Sequence, residues 1–307
     1  MANSEFDRKV IEIARAQAFE ELAQRSEIRS SRVARFEAAS ATDEGLHSLR
    51  AAANVGTLVA EGDSWFDYPG SDILDNLEDV YQYDVESLAK AGHRIEDMAY
   101  AGGQLDDLAR RLEKLLRNGK SVRAVLLSGG GNDVMGTEFG MFLEHMRSGL
   151  DPLNAKVVEG VIRERVRTAY LHILTRVTTV AQSVLGSPVP ILVHGYSGPV
   201  PDGRGVLGGW WFLPGPWIAP GFRDKGFSDR ELPRRIEIVS RLMDTFNDML
   251  IEVTGLPDFD HVHYVNLRGT LPTGPDYKDW WANELHPTEQ GFAAVTRRFA
   301  EVLRGLP

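Results

Sequence analysis

Thr57-Leu58-Val59-Ala60-Glu61-Gly62-Asp63-Ser64-Trp65 is the stretch that decides the fold. Its first four residues form a short apolar run, and Gly62-Asp63-Ser64 is a turn signal. A run this short, closed by turn residues, predicts a strand buried on both faces. The same pattern recurs at Ala124-Val125-Leu126-Leu127, which ends in Ser128-Gly129-Gly130-Gly131-Asn132-Asp133. Further strand candidates lie at 83–89, 190–195 and 261–267. Helical patterns at 94–100, 104–117, 155–185, 231–253 and 288–304 fall between and after them. Such alternation predicts a parallel sheet covered by helices on both faces, with right-handed connections.

Around this frame lie two unlike segments. Residues 5–38 are highly charged, and Phe6, Val10, Ala14, Ala18 and Leu22 recur at near-helical spacing without Gly or Pro. They predict one long helix or two. Residues 43–53 predict another, capped by Thr42 or Asp43. Together, residues 1–54 read as a helical extension, either packed on the domain or serving as a homo-oligomer contact. Residues 55–307 form the main domain. Within it, 197–232 carries Gly198-Pro199, Pro201-Asp202-Gly203, Gly208-Gly209-Trp210-Trp211 and Pro214-Gly215-Pro216-Trp217. Gly and Pro punctuate this insertion too heavily for regular structure, and its tryptophans argue against disorder.

Composition narrows the function classes. The 307 residues include no cysteine, so disulfides, thiolate catalysis and cysteine-ligated zinc are excluded. The net charge of −10 disfavours nucleic acid as a partner. No apolar run is long enough for membrane insertion. Met1-Ala2-Asn3-Ser4-Glu5-Phe6-Asp7 lacks a basic start followed by an apolar stretch, which predicts a cytoplasmic protein.

In an open parallel sheet, reactive side chains gather where strands end. Ser64 follows one buried strand and Asn132 another, while His286 lies on a loop before a final helix that Thr288 can cap. A serine, an amide donor and a histidine are the parts of nucleophilic acyl chemistry. Each has a plain alternative: Gly-Asp-Ser is a common turn, Asn132 can cap a helix, and a lone histidine is often structural. The glycine run at 129–131 lacks both the dinucleotide and the P-loop spacing, so a phosphate cradle is disfavoured. His261 and His263 share one strand face, but no third ligand lies near them in sequence, so they read as ordinary strand residues. Asp63 and Asp133 read as anchors of their own turns. Trp65, Trp210, Trp211, Trp217, Trp280 and Trp281 all fall near these blocks and predict an aromatic pocket wall.

Three blocks, Gly62-Asp63-Ser64, Gly130-Gly131-Asn132-Asp133 and Leu285-His286-Pro287, resemble in wording and order those of the SGNH (GDSL-type) hydrolases. The resemblance spans roughly residues 57–304. It implies a flavodoxin-like three-layer α/β/α sandwich with about five parallel strands and an ester hydrolase that needs neither metal nor other cofactor. It further implies an acyl-serine intermediate on a small-molecule ester. By that resemblance Ser64 is the nucleophile, its own N–H and Asn132 donate to the oxyanion, and His286 is the base. The remaining oxyanion donor of the family is a glycine N–H. Gly92 and Gly102 compete for it, and Gly92 is preferred because it closes a strand-like run. Thioester hydrolysis, acyl transfer and a binding module without turnover are the alternatives. One position departs from the family pattern: Asn283 stands where an aspartate usually precedes the histidine by three residues. Asn283 can orient His286 but cannot supply charge, so Asp279 or Glu284 remains an alternative third member.

Overall fold

The computed structural model describes residues 56–101, 103–136, 138–206 and 214–307, with Glu27, Ser30, Ser31, Val33 and Ala34 also described, all helical. The chain divides into two units, Met1–Ala51 and Ala52–Pro307. Apart from those five residues, the helices expected at 5–38 and 43–53 lie outside the described residues, as do Gly102, Trp210 and Trp211.

The second unit is built on five parallel strands: β1 Thr57–Glu61, β2 Asp84–Ser87, β3 Val122–Leu127, β4 Ile191–His194 and β5 Val262–Val265. Their order is β2-β1-β3-β4-β5, the flavodoxin-like arrangement. β1 and β4 are buried throughout, as is the C-terminal part of β3, whereas edge strand β2 is half exposed. This explains why the central strands are continuous apolar runs: helices cover both of their faces. All five strands occur where the sequence predicts them: β1 and β3 run one and two residues longer, and β2, β4 and β5 are trimmed by one or two residues at their ends.

Helices α1 Ile73–Asp79, α2 Ile95–Tyr100, α3 Gln104–Arg117 and α4 Gly131–Val134 follow in the first half. In α3, Leu105, Leu108, Ala109, Leu112, Leu115 and Leu116 are buried, the stripe expected when one helix face meets a sheet. The pattern at 155–185 is continuous but not uniform. It comprises α5 Ala155–Val158, a wide π-type stretch Glu159–Val166, and α6 Arg167–Leu185. Then come α7 Ala219–Asp224, α8 Leu232–Thr254 and α9 Glu289–Gly305. α9 packs on α1, while α2, α3 and α8 pack on α6. Among the described residues, no helix is long and apolar enough to cross a membrane.

The 197–232 insertion corrects the expectation of no regular structure. It contains α7 and a 3-10 turn at Asp229–Glu231. Pro220 sits in the first turn of α7, where a missing N–H costs nothing.

Candidate active site

From β1 the chain crosses to β2 on one side and later to β3 on the other. A crevice therefore opens at the C-terminal ends of β1 and β3. The β1 turn enters it. Gly62 is required here, since a Cβ at this position would lie 2.7 Å from the Cβ of Ser128 and 2.9 Å from Phe66. The turn is tied to β3 by Asp63 N–H donating to Ser128 O and Ser128 N–H donating to Glu61 O, both at 3.1 Å. Asp63 is buried and accepts from Trp65 N–H at 3.0 Å, from Ser128 Oγ at 2.7 Å and from the Tyr196 hydroxyl at 2.7 Å. It thus anchors its own turn, as expected, and also braces the turn against β3 and β4.

Ser64 is thereby held at the crevice, partly exposed. Its Oγ lies 2.7 Å from His286 Nε2. On the other side of the ring, His286 Nδ1 lies 3.0 Å from Asn283 Oδ1. The same oxygen accepts from the backbone N–H groups of Leu285 and His286 at 2.9 Å. Donors alone surround it, so the oxygen rather than the amide nitrogen faces the ring. Nδ1 therefore carries the proton and Nε2 is left to accept from Ser64 Oγ–H. Burial alone pushes the His286 pKa down, to about 3.

Neither alternative acid reaches the ring. Asp279 is exposed, in a 3-10 turn Tyr277–Asp279. Glu284 is fully buried but points into the insertion. It accepts from the N–H groups of Gly203 (2.9 Å), Trp217 (2.7 Å), Ile218 (2.8 Å) and Ala219 (3.0 Å). Burial raises its pKa in spite of those four donors.

Asn132 sits in α4, directly after the glycine run, and its Nδ2 donates to His93 O at 2.8 Å. An amide nitrogen has two N–H groups, so one remains after this bond. Gly92 precedes His93, is exposed and has a φ of 85°. Its loop is joined to the turn that carries Ser64 by Lys90 N–H donating to Gly62 O at 2.9 Å. Gly92 is thus placed beside Asn132 through His93, while Gly102 lies outside the described residues. Asp133 does not anchor its own turn, contrary to expectation. It accepts from Ile95 N–H at 2.8 Å and Glu96 N–H at 3.4 Å, and so caps α2 from a distance. Burial raises its pKa to about 6.

A cleft opens beside Ser64 and Asn132, with Trp65, Met135, Met243, Trp281 and Leu285 among its walls. Trp65 and Trp281 thus line it, as the sequence predicts. Trp217, from the insertion, meets the His286 ring edge-on, with centroids 5.6 Å apart. Trp280 is half-buried outside the cleft lining. His261 bonds Thr178 Oγ1 at 2.8 Å through Nε2, a structural role.

Sequence reasoning missed two groups. Tyr68 stacks on His286, with centroids 4.4 Å apart and planes at 23°. Its hydroxyl accepts from Asn283 Nδ2 at 3.1 Å. No short motif marks it, because it lies in the irregular stretch after Trp65. The second is a buried set in which Ser128 Oγ lies 2.8 Å from His194 Nε2 and 2.7 Å from Asp63. It copies the residue types of a catalytic triad, but Ser128 and His194 are fully buried. No ester could approach Ser128, so its role is to support the turn that carries Ser64.

Within the α/β/α class, the crevice thus holds a Ser-His-Asn array beside an apolar cleft. No protein-family model and no curated protein matches the chain. Solved structures similar to it include a protein from Slackia heliotrinireducens assigned as an SGNH hydrolase. That structure shares 13% identity, covers 81% of this chain and 98% of its own, and has a TM-score of 0.46. An alpha/beta hydrolase enzyme from the metagenome of Lake Arreo, Spain, shares 13% identity over 83% of this chain and 98% of its own, at a TM-score of 0.45. A catalytic mutant of an acetylxylan esterase from Geobacillus stearothermophilus shares 12% identity over 82% and 95%, at a TM-score of 0.40.

Proposed function

We propose that this chain is a serine hydrolase of carboxylic esters that works through an acyl-serine intermediate. The observation that carries the reading is the 2.7 Å contact between Ser64 Oγ and the unprotonated Nε2 of His286. In the first step the Ser64 Oγ–H proton passes to Nε2 while Oγ bonds to the ester carbonyl carbon. The carbonyl electron pair moves to oxygen, where the second Asn132 N–H, the Ser64 N–H and the Gly92 N–H are the proposed donors. Collapse breaks the ester C–O bond, and His286 returns its proton to the leaving alkoxide. Water repeats the sequence on the acyl-serine. Asn283 holds the ring in the required tautomer throughout.

The apolar cleft suits the acyl part of a small or medium ester. Acetylated sugar esters, as cleaved by the acetylxylan esterase, fall within this class. Lipase-like, thioesterase or transferase use of the same intermediate would differ only in the acyl group, the leaving group or the acceptor, respectively.

A fluorophosphonate probe tests the proposal. The native protein should label at Ser64, shown by peptide mass mapping, and should hydrolyse p-nitrophenyl esters. Ser64→Ala should abolish both with an unchanged circular dichroism spectrum. Turnover in Ser64→Ala equal to the parent's would remove Ser64 from the mechanism, whereas a native protein that neither labels nor turns over would be a binding module.

A further inference from the structure

The transition state described above places a positive charge on a buried ring. As Ser64 Oγ bonds to the acyl carbon, its proton moves to Nε2 and His286 becomes an imidazolium. Burial pushes the His286 pKa down. Asn283 Oδ1 is neutral and already takes three N–H groups. Glu284 spends both oxygens on the insertion, and Asp279 is exposed to solvent. Among the described residues, no carboxylate is hydrogen-bonded to His286. The charge nevertheless needs support, because a desolvated imidazolium is costly.

Among the described residues, two aromatic rings meet His286. Trp217 does so at 72° and 5.6 Å, an edge arrangement. Tyr68 does so nearly face to face, at 23° and 4.4 Å. An aromatic face attracts a cation whose centre lies within about 6 Å of the ring centroid, most strongly where water is excluded. Tyr68 is itself held in place. Its N–H donates to Asp72 Oδ2 at 3.2 Å, its ring packs on Phe292 at 5.7 Å, and its hydroxyl accepts from Asn283.

We propose, resting on the hydrolase reading, that Tyr68 is a positioning residue whose ring face supports the His286 imidazolium in place of the missing carboxylate. The ring face, rather than the hydroxyl, carries this role. The three N–H groups on Asn283 Oδ1 already fix the amide, so loss of the Tyr68 hydroxyl leaves its orientation intact.

The test compares ring electronics at constant shape. Tyr68→Phe keeps the face and should remain within about threefold of the parent in kcat. Tyr68→Leu removes the face and should lower kcat by about 10- to 30-fold with little change in KM. Pentafluorophenylalanine incorporated at position 68 keeps the ring shape but reverses its quadrupole, and should behave like Tyr68→Leu. The decisive measurement is the His286 pKa in the trifluoromethyl-ketone adduct of Ser64, followed by NMR of the ring C–H signals. This adduct holds the imidazolium opposite an oxyanion. Tyr68→Phe should match the parent. Tyr68→Leu and the fluorinated variant should fall by roughly one pH unit. The fluorinated variant preserves packing and so decides the matter even if Tyr68→Leu fails to fold. Equal pKa values in Tyr68→Phe and the fluorinated variant would overturn the inference while leaving the hydrolase intact. A parent that forms no adduct would instead overturn the hydrolase reading, and this inference with it.

Discussion

His286 starts each turnover buried and neutral, and this sets how the proposed reaction responds to pH. The base must be unprotonated to accept from Ser64, and burial holds its pKa down to about 3. The acidic limb of kcat/KM should therefore lie far below the ordinary histidine range, with no loss attributable to His286 between pH 7 and 5. Asn283→Asp would put a carboxylate against Nδ1 and favour the imidazolium, so the acidic limb should move up while the plateau rate holds or rises. Asn283→Ala should free the ring and cut activity roughly tenfold or more. Asp279→Asn should be silent, since that side chain is exposed and makes no contact with the ring. The pH–rate profiles of these variants on one ester check all of this. An unmoved acidic limb in Asn283→Asp would show that Asn283 does not govern the ring. Ser64, Asn132, His286 and the departure at Asn283 were legible because each lies in a short block at a strand end or before a capped helix. Tyr68 was not, because stacking leaves no trace in sequence spacing.

The C-terminal end of β1 bears a second buried titrating group, Glu61, only 3% exposed. Its Oε1 accepts from Gly62 N–H at 3.1 Å and lies 3.9 Å from His93 Nδ1. Burial raises its pKa from 4.5 to about 7, with Gly62 N–H and Lys90 opposing and Asp107 assisting. The folded state therefore binds more protons than the unfolded state between pH 4.5 and 7. Stability from this group is fully present below pH 4.5 and is lost as pH rises through 7. Glu61→Gln keeps an acceptor for Gly62 N–H and removes the charge. It should leave stability at pH 4 nearly unchanged and raise it by about 3 kcal/mol above pH 7. Urea unfolding at the two pH values checks this, and an equal shift at both would exclude the burial mechanism. His286 acts in the opposite sense. Its depressed pKa withdraws stability as pH falls from 6.5 towards 3, so Glu61→Gln should expose a steeper acid decline. At this scale the sequence was most legible where one physical demand dominated. The apolar runs of β1 and β3 and the leucine stripe of α3 follow directly from burial. Helix α7 was missed because Gly and Pro mask it, and the π stretch at 159–166 leaves the apolar pattern of a single helix.

Across the whole second unit, the insertion and the histidine loop are joined through one carboxylate. Glu284 collects four backbone N–H groups from 203 and 217–219, and Arg204 Nη1 returns bonds to Trp281 O at 2.9 Å and Ala282 O at 3.1 Å. Trp65 Nε1 adds a bond from the turn that carries Ser64 to Leu285 O at 3.1 Å. Segments more than 60 residues apart in sequence are thus fixed around His286. No local pattern foretells such a junction, which is why the sequence reads Glu284 as a candidate acid for the neighbouring histidine rather than as the anchor of the insertion. Backbone donors buried with no acceptor cost about 1–3 kcal/mol each. Glu284→Ala should therefore destabilise the unit by roughly 3 kcal/mol or more, with some relief from entering water. Glu284→Gln retains one carbonyl oxygen but turns an NH2 towards donors, and should fall between the parent and Glu284→Ala. If Glu284 acts by anchoring the insertion, both variants should loosen Trp217 against His286. Long-acyl esters should then lose more kcat/KM than acetyl esters, while the acidic limb of the pH profile stays in place. A shifted limb at unchanged stability would instead make Glu284 an electrostatic partner of His286. Thermal unfolding and an ester series from acetyl to octanoyl, measured on the same three proteins, separate the two roles.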